Sequence, residues 1–270
     1  MSALAAELAG IDLGDRRLNR RARKVLEKLG DKPTVSIPSA CGGWDETRGA
    51  YRLFDHPEVS AQQVLEPPYG ASQRRVGEYP RVLCIQDTTE LDYSTKGDIQ
   101  DLGPLNYEAR RGLYLHPTLA VTPERLCLGV IDAWSWTREA GSLSESKSDR
   151  RPIEEKESLR WLEGYRRVCE RQGELADTQL IYLADREADI YEIFAEAQAR
   201  ASAAEWLIRA QHERKLADGR TLRQALDEAP ELDRIEFDMP KTEKRKAQRI
   251  AQSLQAVRVT LKAPFRPGHK

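Results

Sequence analysis

Two aspartates, Asp87 and Asp185, each follow a short apolar run. Val82 to Ile85 lead into Gln86-Asp87-Thr88-Thr89, and Leu180 to Leu183 lead into Ala184-Asp185-Arg186-Glu187-Ala188-Asp189-Ile190. Continuous apolar runs of this length suit strands covered on both faces, as in a largely parallel α/β sheet, whose ligands collect at the carboxyl ends of the strands. If the two strands are neighbours, carboxylates far apart in sequence meet at one edge of the sheet. Ionised carboxylates held together repel unless a cation lies between them. A hard divalent ion such as Mg²⁺ takes oxygen ligands, commonly one or two carboxylates together with phosphate oxygens. The expected chemistry is therefore a divalent-metal site acting on phosphodiesters. The bland alternatives are a cap on the helix at Glu187 for Asp185 and a buried, hydrogen-bonded carboxylate for Asp87. Glu187 and Asp189 read as helix-surface or salt-bridging residues.

The elements that must position these groups follow from patterning. Arg81–Tyr93 reads as a first strand with Asp87 inside it, and Leu113–Thr122 and Leu126–Thr137 as a hairpin turning at Pro123-Glu124. Glu154–Gln172 carries Leu159, Leu162, Tyr165, Val168 and Cys169 along one side and reads as a crossover helix. Gln179–Asp185 is a fourth strand, Glu187–Arg200 a helix and Glu205–Gln211 a fifth strand. This succession predicts a mixed α/β sheet of the ribonuclease-H-like layout, with strand order 3-2-1-4-5, and the right-handed crossover rule permits strands one and four to lie side by side. Beyond Gly219 come a short helix at Leu222–Asp227, a basic stretch and the strand-like Val257–Leu261.

The N-terminal part reads differently. Ala3 to Ala9 form a first helix closed by Gly10, and Asp15 caps a second that runs to Leu29 and stops at Gly30. Leu18, Ala22, Val25, Leu26 and Leu29 make one apolar stripe along it. Arg16, Arg17, Arg20, Arg21, Arg23 and Lys24 fill the rest of its circumference. Asp45 is expected to cap a third helix bearing Arg48, Tyr51 and Arg52, Ser60 a fourth, and Pro67-Pro68 to mark a boundary. The net charge is −1 over 270 residues, which by itself argues against a strongly basic nucleic-acid binder. Its distribution says more: residues 16–32 carry a net +6 and residues 241–270 a net +8. A solvated charged face is the common outcome for such a helix, but like charges four residues apart weaken it. A polyanion would offset that cost, so phosphate contacts are the favoured reading. The four cysteines, Cys41, Cys84, Cys127 and Cys169, stand singly and read as reduced thiols. The four dispersed histidines argue against zinc. No apolar run reaches membrane-span length and no signal peptide precedes the chain, so a cytoplasmic, nucleoid-associated location is expected.

Taken in order, these motifs resemble the DDE transposases of the insertion-sequence-four group, and within it the transposon-five-like enzymes. Leu13-Gly14-Asp15-Arg16-Arg17 resembles the start of the family's DNA-binding helix and Gly49-Ala50-Tyr51-Arg52 its helical-domain signature. Gln86-Asp87-Thr88-Thr89 resembles the first catalytic motif, Glu155-Lys156-Glu157-Ser158 with Trp161-Leu162 the helix after strand three, and Asp185-Arg186-Glu187-Ala188-Asp189-Ile190 the second. The resemblance implies a helical transposon-end-binding domain over 1–68, a ribonuclease-H-like core over 69–218 and an incomplete β-rich insertion over 219–270. It implies that Asp87 and Asp185 hold Mg²⁺ or Mn²⁺ in a two-metal site for cut-and-paste transposition. Arg16, Arg17, Arg20, Arg21, Lys24, Arg48 and Arg52 would bind DNA from the helical domain, and Arg209, His212, Arg214 and Lys215 would face DNA beside that site. Partners would be duplex DNA, as terminal inverted repeats and target, and a second copy in a homodimer, with no membrane involved. One element departs: the family's third carboxylate, in the pattern Tyr, two residues, Arg, three residues, Glu, six residues, Lys, is absent. Tyr107 and Arg110 imitate its first half, but Tyr114 stands at the Glu position. The expectation is a C-terminally truncated transposase that cuts poorly alone. The alternatives are a non-catalytic DNA-binding remnant and a non-transposing nuclease of the same fold.

Overall fold

A computed structural model describes residues 6–97, 99–107, 109–139, 152–200, 203–243 and 245–264. The expected first helix lies partly outside them: Ala6 and Glu7 are helical and the chain turns by Ala9. Helix α1 (Arg16–Asp31) starts where Asp15 accepts hydrogen bonds from the amides of Arg17 and Leu18. Helix α2 (Ile37–Cys41) is short. Helix α3 (Trp44–Phe54) is capped at Gly43, which leaves Asp45 and Glu46 in its first turn, one position inside the expected cap. Leu8, Ile11, Leu13, Ala22, Val25, Cys41, Ala50 and Leu53 close a small core between these helices.

Helix α4 (Ala61–Val76) opens with a reciprocal cap between Ser60 and Gln63 and runs straight through Pro67-Pro68. The expected boundary is thus the inside of a helix. Proline removes amide donors there and strains the preceding turn. The helix continues because Tyr69, Ala71, Ser72 and Val76 beyond it are buried, Val76 within the sheet core. Arg75 ties the region further by donating to the Leu128 carbonyl and to Glu7.

The sheet is mixed. Strands β1 (Arg81–Gln86), β2 (Thr89–Asp92), β3 (Gly103–Pro104), β4 (Arg111–Val121) and β5 (Cys127–Trp136) precede helix α5 (Leu159–Glu174), strand β6 (Gln179–Ala184), helix α6 (Tyr191–Ala199) and strand β7 (Glu205–Ile208). β4 pairs antiparallel with β5 on one side and with β1 and β2 in succession on the other. β1 then pairs in parallel with β6, and β6 with β7. Helices α4, α5 and α6 contribute to one core with the buried residues Val82, Cys84, Ala120, Leu180 and Tyr182. Coverage on both faces was expected, yet the strands alternate between buried and half-buried positions. The opposite face carries a cross-strand row, Leu119, Ile85, Leu183 and Leu207 in register, and Leu207 is 61% exposed.

Helix α7 (Leu222–Asp227) precedes a two-stranded ribbon, β8 (Glu231–Met239) and β9 (Gln248–Gln255), within the span 219–270. The strand-like Val257–Leu261 reduces to a single bridge between Leu261 and Leu216. Cys41, Cys84 and Cys169 are buried free thiols and Cys127 is an exposed one. No described helix is long and apolar enough to cross a membrane.

Candidate active site and nucleic-acid interface

Three parallel strand ends lie in a row. Gln86 is in register with Ala184, and Ala184 with Ile208. The residues that follow, Asp87, Asp185 and Arg209, therefore leave the sheet side by side, and the Arg209 amide donates to the Ala184 carbonyl at 3.2 Å. All three side chains are exposed. The first strand is shorter than expected: it breaks at Asp87 and resumes at Thr89, so Asp87 sits in the break rather than within a strand. Asp87 Oδ1 accepts from the Thr88 amide at 2.7 Å. Asp185 Oδ1 accepts from the Glu187 amide at 2.7 Å and caps a 3₁₀ turn over Arg186–Ala188, so the expected helix starts only at Tyr191. One oxygen of each carboxylate is thus oriented by backbone.

Behind these ends lies a buried polar layer. Gln86 donates to Thr118 Oγ1 at 3.0 Å and accepts from the Tyr182 hydroxyl at 2.6 Å. A side chain at Gly164 of α5 would collide with the Gln86 amide, so glycine lets the helix close over it. Thr88 Oγ1 and His116 Nδ1 lie 2.8 Å apart. The His116 ring stands edge-on to Trp161 at 4.5 Å, and its Nε2 is buried without a hydrogen-bond partner. Burial pushes the His116 imidazolium down to about 3, helped by the positive charges of Arg160 and Arg167 and opposed by a backbone hydrogen bond with Asp87. The ring is neutral at physiological pH. Arg160 lies over the Trp136 ring at 4.7 Å, with Glu157 and Glu187 each 3.7 Å away.

Of the two readings of Asp189, helix-surface or salt-bridging, the structure shows the second, with Arg214 as partner. Asp189 is 3% exposed and gathers the amides of Gln211 and His212, at 2.7 and 2.8 Å, together with the Arg214 guanidinium. Burial raises the Asp189 carboxyl, but the His212 amide, Arg214 and the Gln211 amide together hold it below the usual carboxylate range. Arg214, read from the sequence as a DNA contact, is committed to this anchor and stacks on Phe194. His212 and Lys215 stay exposed on the same loop. Among the described residues, no group of three or more His, Cys, Asp or Glu is placed to hold a metal ion.

The basic residues of the helical unit divide into two sets. Lys24 is paired with Glu46 at 2.5 Å, and Arg16 and Arg20 are exposed on α1. Arg17, Arg21, Arg48 and Arg52 instead line one cavity between α1 and α3. Sequence reading missed two features, the Thr88–His116 pair and the α1–α3 cavity. Both depend on residues brought together by the fold.

Residues 1–59 match a family model described as transposase DNA-binding, and that match supports a transposase. Among solved structures, the cryo-EM structure of a piggyBac transposase synaptic complex with hairpin DNA is similar at 9% identity and a TM-score of 0.33, over 93% of this chain and 49% of that one. The chain thus spans about half the length of that protein. The N-terminal helices are where this chain is similar to a transposase DNA-binding domain.

Proposed function

We propose that this chain is a transposase of the insertion-sequence-four, transposon-five-like group. It binds duplex DNA through its helical N-terminal unit and carries two carboxylates of a cutting site at a ribonuclease-H-like sheet edge, so that without a third carboxylate it cuts poorly alone. The observation that carries the reading is the side-by-side exit of Asp87, Asp185 and Arg209 from three parallel strands. Two exposed carboxylates, each with one oxygen held by a backbone amide, are the hard donor set that Mg²⁺ or Mn²⁺ accepts alongside phosphate oxygens. Bound there, such an ion supplies charge neutralisation and an activated oxygen nucleophile for phosphoryl transfer. Arg209 offers a cation to the phosphate at the same edge, and the exposed His212 and Lys215 extend that surface. The neutral His116 holds Thr88, and with it the backbone that orients Asp87. In this reading the working unit is a homodimer on paired DNA ends.

Mn²⁺ titration followed by electron paramagnetic resonance tests the site. The chain should bind Mn²⁺ more tightly once duplex DNA contributes phosphate oxygens, and Asp87→Ala with Asp185→Ala should abolish that gain. An unchanged gain in the double variant overturns the metal assignment. A second reading, DNA binding without cleavage, is supported by the family match over residues 1–59 and by the lack of a three-ligand group among the described residues. Robust Asp185-dependent nicking of end DNA by this chain would exclude it.

A further inference from the structure

We propose that the concavity between α1 and α3 seats one backbone phosphate of duplex DNA, shared by Arg17, Arg21, Arg48 and Arg52. This rests on the DNA-binding half of the function proposed above. The cavity has a volume of about 330 Å³, and besides these four guanidinium side chains its ionisable lining is Asp45 and His56. Asp45 offsets little of that charge: its side chain is 89% exposed and lies 3.6 Å from Arg48. Glu46, the neighbouring acid, is turned to Lys24 instead. Four arginines thus line a hollow whose one carboxylate is weakly engaged.

Gly49 shapes the hollow. A Cβ there would fall on the Arg21 guanidinium, so only glycine lets Arg21 lie across the α3 backbone. Guanidinium side chains that line one hollow suit the oxygens of a phosphate, which accepts paired N–H donors. Duplex DNA is favoured as the source because of what α3 shows beside the cavity. Trp44, Arg48, Tyr51 and Arg52 recur at i, i+4, i+7 and i+8, one helical face. Trp44 is 76% exposed and Tyr51 is 45% exposed. A face that alternates cation and bare aromatic ring suits the sugar–phosphate backbone and base edges of a nucleic acid.

Fluorescence anisotropy of labelled duplex DNA against salt concentration tests the sharing. Each phosphate neutralised contributes about 0.9 to the slope of log affinity against log salt. Arg21→Ala, Arg48→Ala and Arg52→Ala should each weaken binding, and the triple variant should flatten the slope by about one unit in total. A flattening of about three units would give each arginine its own phosphate and overturn the proposal. So would an unchanged slope in a triple variant that still binds. Gly49→Ala should reproduce the loss of Arg21→Ala while circular dichroism stays unchanged; should that variant unfold, the surface pair Arg48→Gln/Arg52→Gln carries the same test. If the unaltered chain shows no salt-dependent binding, the DNA-binding reading fails and this inference with it.

Discussion

A carboxylate that is almost wholly buried and still ionised is held so by its neighbours, and Asp189 has two amides and a guanidinium to do it. Its folded-state value lies below its unfolded one, so the stability it contributes is present above the ordinary carboxylate range and is lost as pH falls through the depressed value. Asp189→Asn should leave Arg214 without its partner charge and cost on the order of 3 kcal/mol at neutral pH. In thermal melts the gap to the unaltered chain should narrow under acid; a gap that widens there contradicts the ionised anchor. His116 has the same sign over a different window. Its folded value is about 3 against an ordinary 6.5, so the unfolded chain takes up a proton first and stability falls between those two pH values. His116→Gln should flatten that fall, read by denaturant titration at pH 7 and pH 4.5. The neutral imidazole also means that the Thr88 contact persists across the physiological range.

At the scale of elements, helix α5 packs on the sheet core through Trp161, Tyr165 and Val168, and Gly164 lets it close over Gln86. Gly164→Ala should push the helix off Gln86 and break the chain from Tyr182 through Gln86 to Thr118. The expected cost, about 1–3 kcal/mol, is measurable by urea denaturation, with an unchanged midpoint as the contrary result. Much of this level was legible in the sequence, because the signals were local. Asp15 and Ser60 are caps that act within three residues, and the apolar runs before Asp87 and Asp185 mark β1 and β6. What could not be read depended on partners far away. Pro67-Pro68 reads as a break until the buried residues beyond it are known. Arg214 shows the same limit at the site: its charge is visible in the sequence, its commitment to Asp189 is not.

Across the whole molecule, the helices crowd one side of the sheet and leave Leu119, Ile85, Leu183 and Leu207 as an apolar row on the other. An anilinonaphthalene dye should bind that row, and Leu207→Lys should reduce its fluorescence without altering the melt; equal fluorescence would mean that the face is not accessible. The parallel pairing of β1 with β6 has a further consequence for how the chain matures. Arg81 bonds to Gln179 across 98 positions, so the pairing of these two strands closes a loop of that length. Contacts of such long sequence separation close slowly. A chain in which β1 and β6 have not paired cannot present both acids at one point. A ligand that needs both Asp87 and Asp185 therefore recognises only molecules in which that pairing has formed, and by mass action it protects them from unfolding.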